Sequence, residues 1–465
     1  MLAELAAAVR ERRVSAVELV TESISRIERL DPPVNAVTAV WAEDALAVAR
    51  ALDERGTDGA LAGLPLLVKD NTDVEGRVTN FGSRTMLDRP PAERSEITVE
   101  RMVAAGAVIV GRTNIPEFAF QGYTDNDVFG PTCNPWGLEW STGGSSGGSG
   151  AAIAAGLAPL ATGTDGGGSV RSPAAFCGLV GLKPTAGLLG RRPIPSWLDF
   201  STQGPLATSI EDCRLLLEVM RGPVSGDPTA APAWTPRGGM PSRVFATPRT
   251  RDFGPLPADV EAPYRAALDA IERDLGLPVE EIPLRRLFPG AAVEGPATRD
   301  DWYLTVAVEE LHWLGPDWVA AHMDEFSRSF REVMEDAAGF SLADYMAARL
   351  RRFDRVADVD ALLEPDAVIV CPAHGYAGWR PDGTLPGLDR PAFGEGYNQG
   401  EFNMSGHPSL SVPAGLAENG IPFGLLVTGP RWRDDLVLEF GAAWERAHPW
   451  PVSAPGYEPF DAVLA

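Results

Sequence analysis

Ser169 closes the run TDGGGS at residues 164–169, and no other hydroxyl in the chain has so much bare backbone directly before it. Three glycines ahead of a hydroxyl supply N–H groups that can turn together toward one oxygen, as an oxyanion requires, without side-chain obstruction. Such a serine needs a base. The five histidines, His312, His322, His374, His407 and His448, are all remote from this run, and no G-x-S-x-G elbow is present. A Ser-His-Asp set assembled from distant segments stays open, because chain order does not constrain a triad. A phosphate-binding loop is disfavoured: no G-K-[ST] follows the glycines, and Lys183 is followed by Pro184. The remaining arrangement is a serine activated by lysine. Lys69 ends the short apolar run 64–68. Most lone lysines are solvated, but one delivered by a buried strand is pushed toward its neutral form by desolvation and becomes a base.

These residues need elements to hold them. Ser169 belongs to a stretch, residues 143–185, in which two glycine and serine clusters flank an alanine-rich segment. GGSSGGSG alone has the composition of a linker. The alanine run that follows has high helix propensity, however, and the second cluster continues into apolar sequence, so the stretch reads as a loop wrapped around a site. On either side, helix and strand patterns alternate. Residues 1–30 read as one amphipathic helix, 34–41 as a strand, 42–55 as a helix closed by Gly56, and 107–110 as a strand after a helix. A long aromatic, turn-rich loop covers about 114–136, and a loop of that length in a compact domain is usually functional. Further strands are expected at 243–248, 367–372 and in two segments near the end, with mostly helical sequence over 302–360. The alternation predicts an α/β protein with a predominantly parallel or mixed sheet. Residues 221–242, rich in proline and glycine, are the best candidate boundary.

Composition bounds the function. The chain has 465 residues, 45% of them hydrophobic and 22% charged, within the ordinary range of soluble globular proteins. A formal charge of −24 argues against nucleic acid and anionic membrane surfaces as partners, since phosphates are bound mainly by Lys and Arg. Cys133, Cys177, Cys213 and Cys371 are widely spaced, with no CxxC pair and no histidine at metal spacing; they read as buried thiols of a reducing cytoplasm, with no metal site. The N-terminus has no signal-peptide core, and no run is long enough to span a bilayer, so a cytoplasmic location is expected.

At this point the segments resemble a known family. Residues 143–185, together with GLPLLVKDN, GRTNIPEF, FGPTCNPW, GPLATSIEDC and FNMSGHPSLSVPAG, are similar to the signature regions of the amidase signature enzymes, serine hydrolases with a Ser–cis-Ser–Lys triad. The resemblance covers about residues 63–430 and points to a bacterial amidase-like member. It implies Lys69 as base, Ser145 as the bridging serine and Ser169 as nucleophile, with a cis peptide bond at Ser145. Ser146 competes with Ser145 for the bridging role; Ser146 and Ser149 are expected to cap or bond the helix start. The oxyanion hole would be formed by the N–H groups of Gly166, Gly167, Gly168 and Ser169, and Asp165 and Arg171 would hold the glycine turn as an ion pair or by hydrogen bonds. The implied fold has a central mixed, largely parallel sheet covered by helices on both faces. It forms one domain over 1–465: an N-terminal helical segment 1–60, a catalytic core 61–220, and a C-terminal half 221–465 with a helical substrate-cleft insert at about 300–360.

The resemblance implies hydrolysis of small-molecule amides, with esters and carbamates (urethanes) open to the same attack, no cofactor, and a monomer or homodimer. Aryl-acylamidases, nylon-oligomer hydrolases and urethanases share the signature. So does the glutaminase component of the glutamyl-tRNA amidotransferase complex, the alternative reading. Substrate-pocket candidates are Phe118, Gly122, Tyr123, Phe129 and His374. Phe120, Trp136, Trp302, Tyr303, Trp313 and Trp318 form a wider aromatic set, of which two or three in all are expected to touch substrate. Two positions depart from the family pattern: His374 stands where a Thr-Pro segment is common, and Gly166 where Thr or Ile is more frequent, a glycine that either widens the oxyanion loop or reflects tight packing, the second reading being slightly preferred.

Overall fold

Short apolar runs closed by glycine or proline fold as strands, and the amphipathic segments between them as helices. The computed structural model describes residues 1–251, 254–289, 301–385 and 398–464. Residues 252–253, 290–300, 386–397 and 465 of the expected domain, with residue 300 of the expected insert among them, lie outside the described residues.

Two sheets carry the architecture. The first orders its strands Val37–Val40, Val108–Thr113, Pro65–Lys69, Leu160–Ala161; the first pairing is antiparallel and the next two are parallel. The second runs Leu206–Ala207, Val180–Lys183, Ser409–Leu416, Pro422–Thr428, Ala367–Pro372, Arg243–Ala246, Val279–Glu281, with parallel pairing only between its last three strands. The protein is therefore a mixed α/β fold, as the alternation implied, but antiparallel ladders take a larger share than "largely parallel" allows. The physical reason is connection length: Ser409–Leu416 and Pro422–Thr428 are joined by a turn too short for a parallel crossover.

Side chains alternate across each strand, so one strand feeds two cores. Val368 and Val370 meet Val260, Tyr264 and Phe440 of the helices Ala258–Leu275 and Asp434–Ala447. Ile369 and Cys371 enter a separate cluster with Val359 and Leu363 of the helix Leu342–Leu363. The same alternation aims the candidate base. On Pro65–Lys69, Leu66 and Val68 join the largest cluster, whereas Leu67 packs with Ala151 and Ala154 of the helix Gly147–Ala154. Lys69, two residues beyond Leu67, shares that face and points at the start of the same helix.

That helix begins inside the glycine and serine cluster, and every residue in it is buried. A Cβ at Gly148 would overlap the backbone of Asn114, so this glycine permits close packing rather than flexibility. The linker composition is thus misleading.

The N-terminal segment differs from the single helix expected. It forms two, Leu2–Arg10 and Ala16–Leu30, because Ser15 and Glu18 make a capping box that starts the second. One hydrophobic cluster draws on residues on both sides of the stretch 221–242, from Leu2 to Phe460. The insert is helical as expected, with Asp301–Leu314, Pro316–His322, Arg328–Gly339 and Leu342–Leu363. All four cysteines are free thiols, and Cys133 is only half-buried. Among the described residues, no helix is long and apolar enough to cross a membrane.

Candidate active site

Lys69 and Lys183 are the only lysines in the chain, and both are buried. Lys69 Nζ lies 2.8 Å from Ser145 Oγ and 2.6 Å from Thr164 Oγ1. Its position is fixed from below, where its backbone N–H donates to Thr162 Oγ1 at 2.9 Å. Burial drives its pKa well below the usual lysine range, only partly opposed by the negative charge of Asp165. Nothing but hydroxyls accepts from its amine among the described residues, so no contacting carboxylate offsets the cost of burying its charge. Thr164 also accepts from Asn71 Nδ2 at 3.1 Å. Neither Thr164 nor Asn71 was marked by the sequence.

The peptide bond between Gly144 and Ser145 is cis. Ser145 precedes the helix Gly147–Ala154, and the next residue joins the two serine clusters: Ser146 N donates to Ser169 O at 3.1 Å. Ser146 Oγ does not cap the helix as expected. It bonds the backbone of Thr164 instead, and Ser149 Oγ bonds Thr113 Oγ1 and Thr162 O, so both serve the packing of the turn. Ser169 and Ser145 line the same cavity. The Lys69–Ser145 contact is formed; a direct hydrogen bond between the two serine hydroxyls is not among those of the described residues.

Asp165 organises the glycine turn. Its carboxylate accepts from Gly168 N at 2.8 Å and Val170 N at 3.1 Å, and takes Arg171 through Nε at 2.9 Å and Nη2 at 2.8 Å. Asn403 Nδ2 adds a donor at 2.9 Å and also bonds the Asp165 carbonyl. Burial would push this carboxyl up, but the Arg171 charge and these donors prevail and hold it far below the ordinary carboxylate range. One expectation is corrected here. The N–H of Gly168 is turned to Asp165 and is not offered to an oxyanion. Gly166, Gly167 and Ser169 keep backbone N–H groups without a protein acceptor among the described residues.

The cavity beside these groups has a volume of about 340 Å³. Ser145, Thr164, Gly166 and Ser169 form its floor, and Phe81, Phe118, Pro193, Ile194, Trp197 and Trp313 form apolar walls. Of the pocket candidates only Phe118 is in that lining. Gly122 and Tyr123 lie behind the cis peptide, where their backbone atoms fill the space beside Gly144. Phe129 is held on the far side, its carbonyl accepting from Asn35 Nδ2 at 2.8 Å. His374 is stacked on Phe176 at 4.3 Å and edge-on to Trp379, and burial lowers its pKa to about 3. Its ring is a neutral core group. Trp313 joins Phe118 from the wider aromatic set, whereas Trp197 and Phe81 line the cavity without having been singled out.

Three comparisons bear on this geometry. A family model described as Amidase matches residues 18–438. An acylamidase from Rhodococcus erythropolis is 32% identical over 478 residues, covering 97% of this chain and 96% of its own. A glutamyl-tRNA(Gln) amidotransferase component from Cyanothece sp. is 33% identical, covering 94% of this chain and 95% of its own. Among solved structures, a bacterial aryl acylamidase of the amidase signature family superposes with a TM-score of 0.86 at 29% identity, over 97% of this chain and 96% of that one.

Proposed function

We propose, from the premise that this chain belongs to the amidase family, that it is a serine hydrolase of small apolar amides acting through Ser169, Ser145 and Lys69. The observation that carries this reading is the buried Lys69 amine 2.8 Å from the Oγ of Ser145, a residue that lines the same cavity as Ser169. Neutral Lys69 takes the proton of Ser145 while Ser145 takes that of Ser169. The Ser169 oxygen bonds the carbonyl carbon, and the resulting oxyanion is met by N–H groups from the set Gly166, Gly167 and Ser169. As the C–N bond breaks, the proton returns from Lys69 through Ser145 to the departing amine. Water then repeats the cycle on the acyl-enzyme, releasing the acid and restoring Ser169. Asp165 and Arg171 support the turn without touching substrate.

A cavity of about 340 Å³ is at the small end of ligand sites. Its flat walls of Phe81, Phe118, Trp197 and Trp313 suit an anilide or another compact amide carrying one planar apolar group. The same attack serves an ester or a carbamate carbonyl. Purified protein assayed on an anilide, an aliphatic amide, an ester and a carbamate sharing one acyl group tests this, with the anilide expected to be the best amide. Ser169→Ala is expected to abolish turnover, and an active Ser169→Ala protein sinks the reading. The relatives named as amidotransferase components support a second reading, a glutaminase that works within a tRNA-dependent amidotransferase complex. Glutamine hydrolysis seen only in the presence of partner proteins would favour it.

A further inference from the structure

The oxyanion turn is covered by two indoles that the catalytic chemistry does not use. A Cβ on Gly166 would overlap the ring of Trp197, and one on Gly167 would overlap the ring of Trp302. The two rings meet edge to face, 5.8 Å between centroids at 89°. Trp302 Nε1 donates to the carbonyl of Gly166 at 2.7 Å. That carbonyl shares a peptide plane with the N–H of Gly167, and in a trans peptide the two point in opposite directions. Holding the carbonyl of Gly166 therefore fixes the aim of the Gly167 N–H, which has no acceptor among the described residues.

Both indoles are controlled from one helix. Trp302 lies in the first turn of Asp301–Leu314, and Glu310, farther along the same helix, accepts from Trp197 Nε1 at 2.8 Å. Glu309 of that helix accepts from Leu198 N at 2.9 Å, which ties down the segment bearing Trp197. Glu310 is buried, and Ser196 is also bonded to its side chain, so its hydrogen-bonding capacity is directed at residues 196–197.

We propose that the helix Asp301–Leu314 sets the oxyanion-hole geometry, with Trp302 and the Glu310–Trp197 pair as positioning residues that clamp the Gly166–Gly167 peptide. This rests on Ser169 being the nucleophile. The clamp acts on the transition state rather than on substrate binding, because it aims an N–H at an oxygen that becomes charged only during attack. It also accounts for glycine at position 166, where the Trp197 ring takes the room a side chain would need.

The test uses the full-length protein with two readouts: kcat and KM on 4-nitroacetanilide, and the rate at which a fluorophosphonate probe labels the serine. Trp302→Phe keeps a ring over Gly167 and removes the N–H donor. Deleting a whole oxyanion donor costs about 10²–10³ in rate, and misaiming one is expected to cost about tenfold in kcat and in labelling, with KM held within about twofold. Glu310→Ala is expected to show the same split, with Glu310→Gln, which keeps an acceptor for Trp197, recovering most of the loss. Thermal unfolding of each variant checks that the fold survives. Wild-type rates in both Trp302→Phe and Glu310→Ala, or a loss carried wholly by KM, overturn the clamp. Ser169→Ala that still takes up the probe would instead remove the catalytic reading on which the clamp rests.

Discussion

The proposed role of Lys69 as a base requires an uncharged amine, and burial shifts its pKa in that direction. Its amine is buried, and its hydrogen-bond acceptors are the hydroxyls of Ser145 and Thr164. Protonation puts a charge back into that site and removes the proposed base, so kcat/KM is expected to fall as pH drops through a pKa well below 10.5, the ordinary lysine value. Lys69→Ala should lower kcat by about 10²–10⁴ and flatten that acid limb, read from a pH–rate profile. Glu310 gives the opposite kind of signal. Burial raises its pKa from 4.5 to about 7. Between those values the folded state holds a proton that the unfolded state has lost, so stability falls as pH rises through the window. Glu310→Gln removes that cost and is expected to raise Tm by about 2–4 °C at pH 8 and hardly at all at pH 4, measured by scanning calorimetry. Lys69 and Ser169 could be singled out as candidates because each carries its context locally, one at the end of an apolar run and the other behind three glycines. Thr164, Asn403 and Glu310 carry no such context. Asn403 meets Asp165 across 238 positions of chain, and such a partner exists only once the fold brings the segments together.

Two short elements decide where Ser169, the proposed nucleophile, stands: the turn after Thr164–Asp165 and the helix Arg171–Cys177 that follows it. Asp165 and Arg171 are the link between them, fully buried and paired through two hydrogen bonds. Arg171→Met leaves the carboxylate buried with its main counter-charge gone. The expected loss is about 3–5 kcal/mol in urea unfolding, along with activity. Because folding depresses the Asp165 pKa, its contribution is intact above the normal carboxylate range and is lost as acid protonates it. Helices and strands were readable from their patterns, as with the strand Ala367–Pro372 and the helical insert. Element ends were less so. The break that begins the helix Ala16–Leu30 depends on one serine–glutamate pair, and apolar periodicity runs straight across it. Strand direction was harder still, since it depends on connections that periodicity does not report. Of the pocket candidates, Phe118 alone lines the cavity: aromatic residues in a loop look alike until packing sends Tyr123 behind the cis peptide and Phe118 to the cavity.

At the scale of the whole molecule, the N-terminal helix Leu2–Arg10 is part of the body rather than a tail. Leu2, Leu5 and Val9 are buried in the largest core cluster, and the backbone N–H of Leu2 donates to Asp212 Oδ1 at 2.9 Å. Deleting residues 1–10 exposes that cluster and is expected to lower Tm by more than about 5 °C while leaving the proposed catalytic groups unaltered in kind; calorimetry beside an activity assay at low temperature separates the two effects. The full chain is expected to unfold in one transition, because its largest cluster spans both halves. A further consequence comes from where the two lysines lie. With Lys69 and Lys183 both interior, the permanently charged side-chain cations on the surface are all guanidinium groups. A protease that cuts only after lysine therefore meets a native state with no accessible site. Cleavage after Lys69 can occur only from molecules whose first sheet has opened, so the unmodified sequence carries its own reporter of that opening, one that digestion time courses can count without any label.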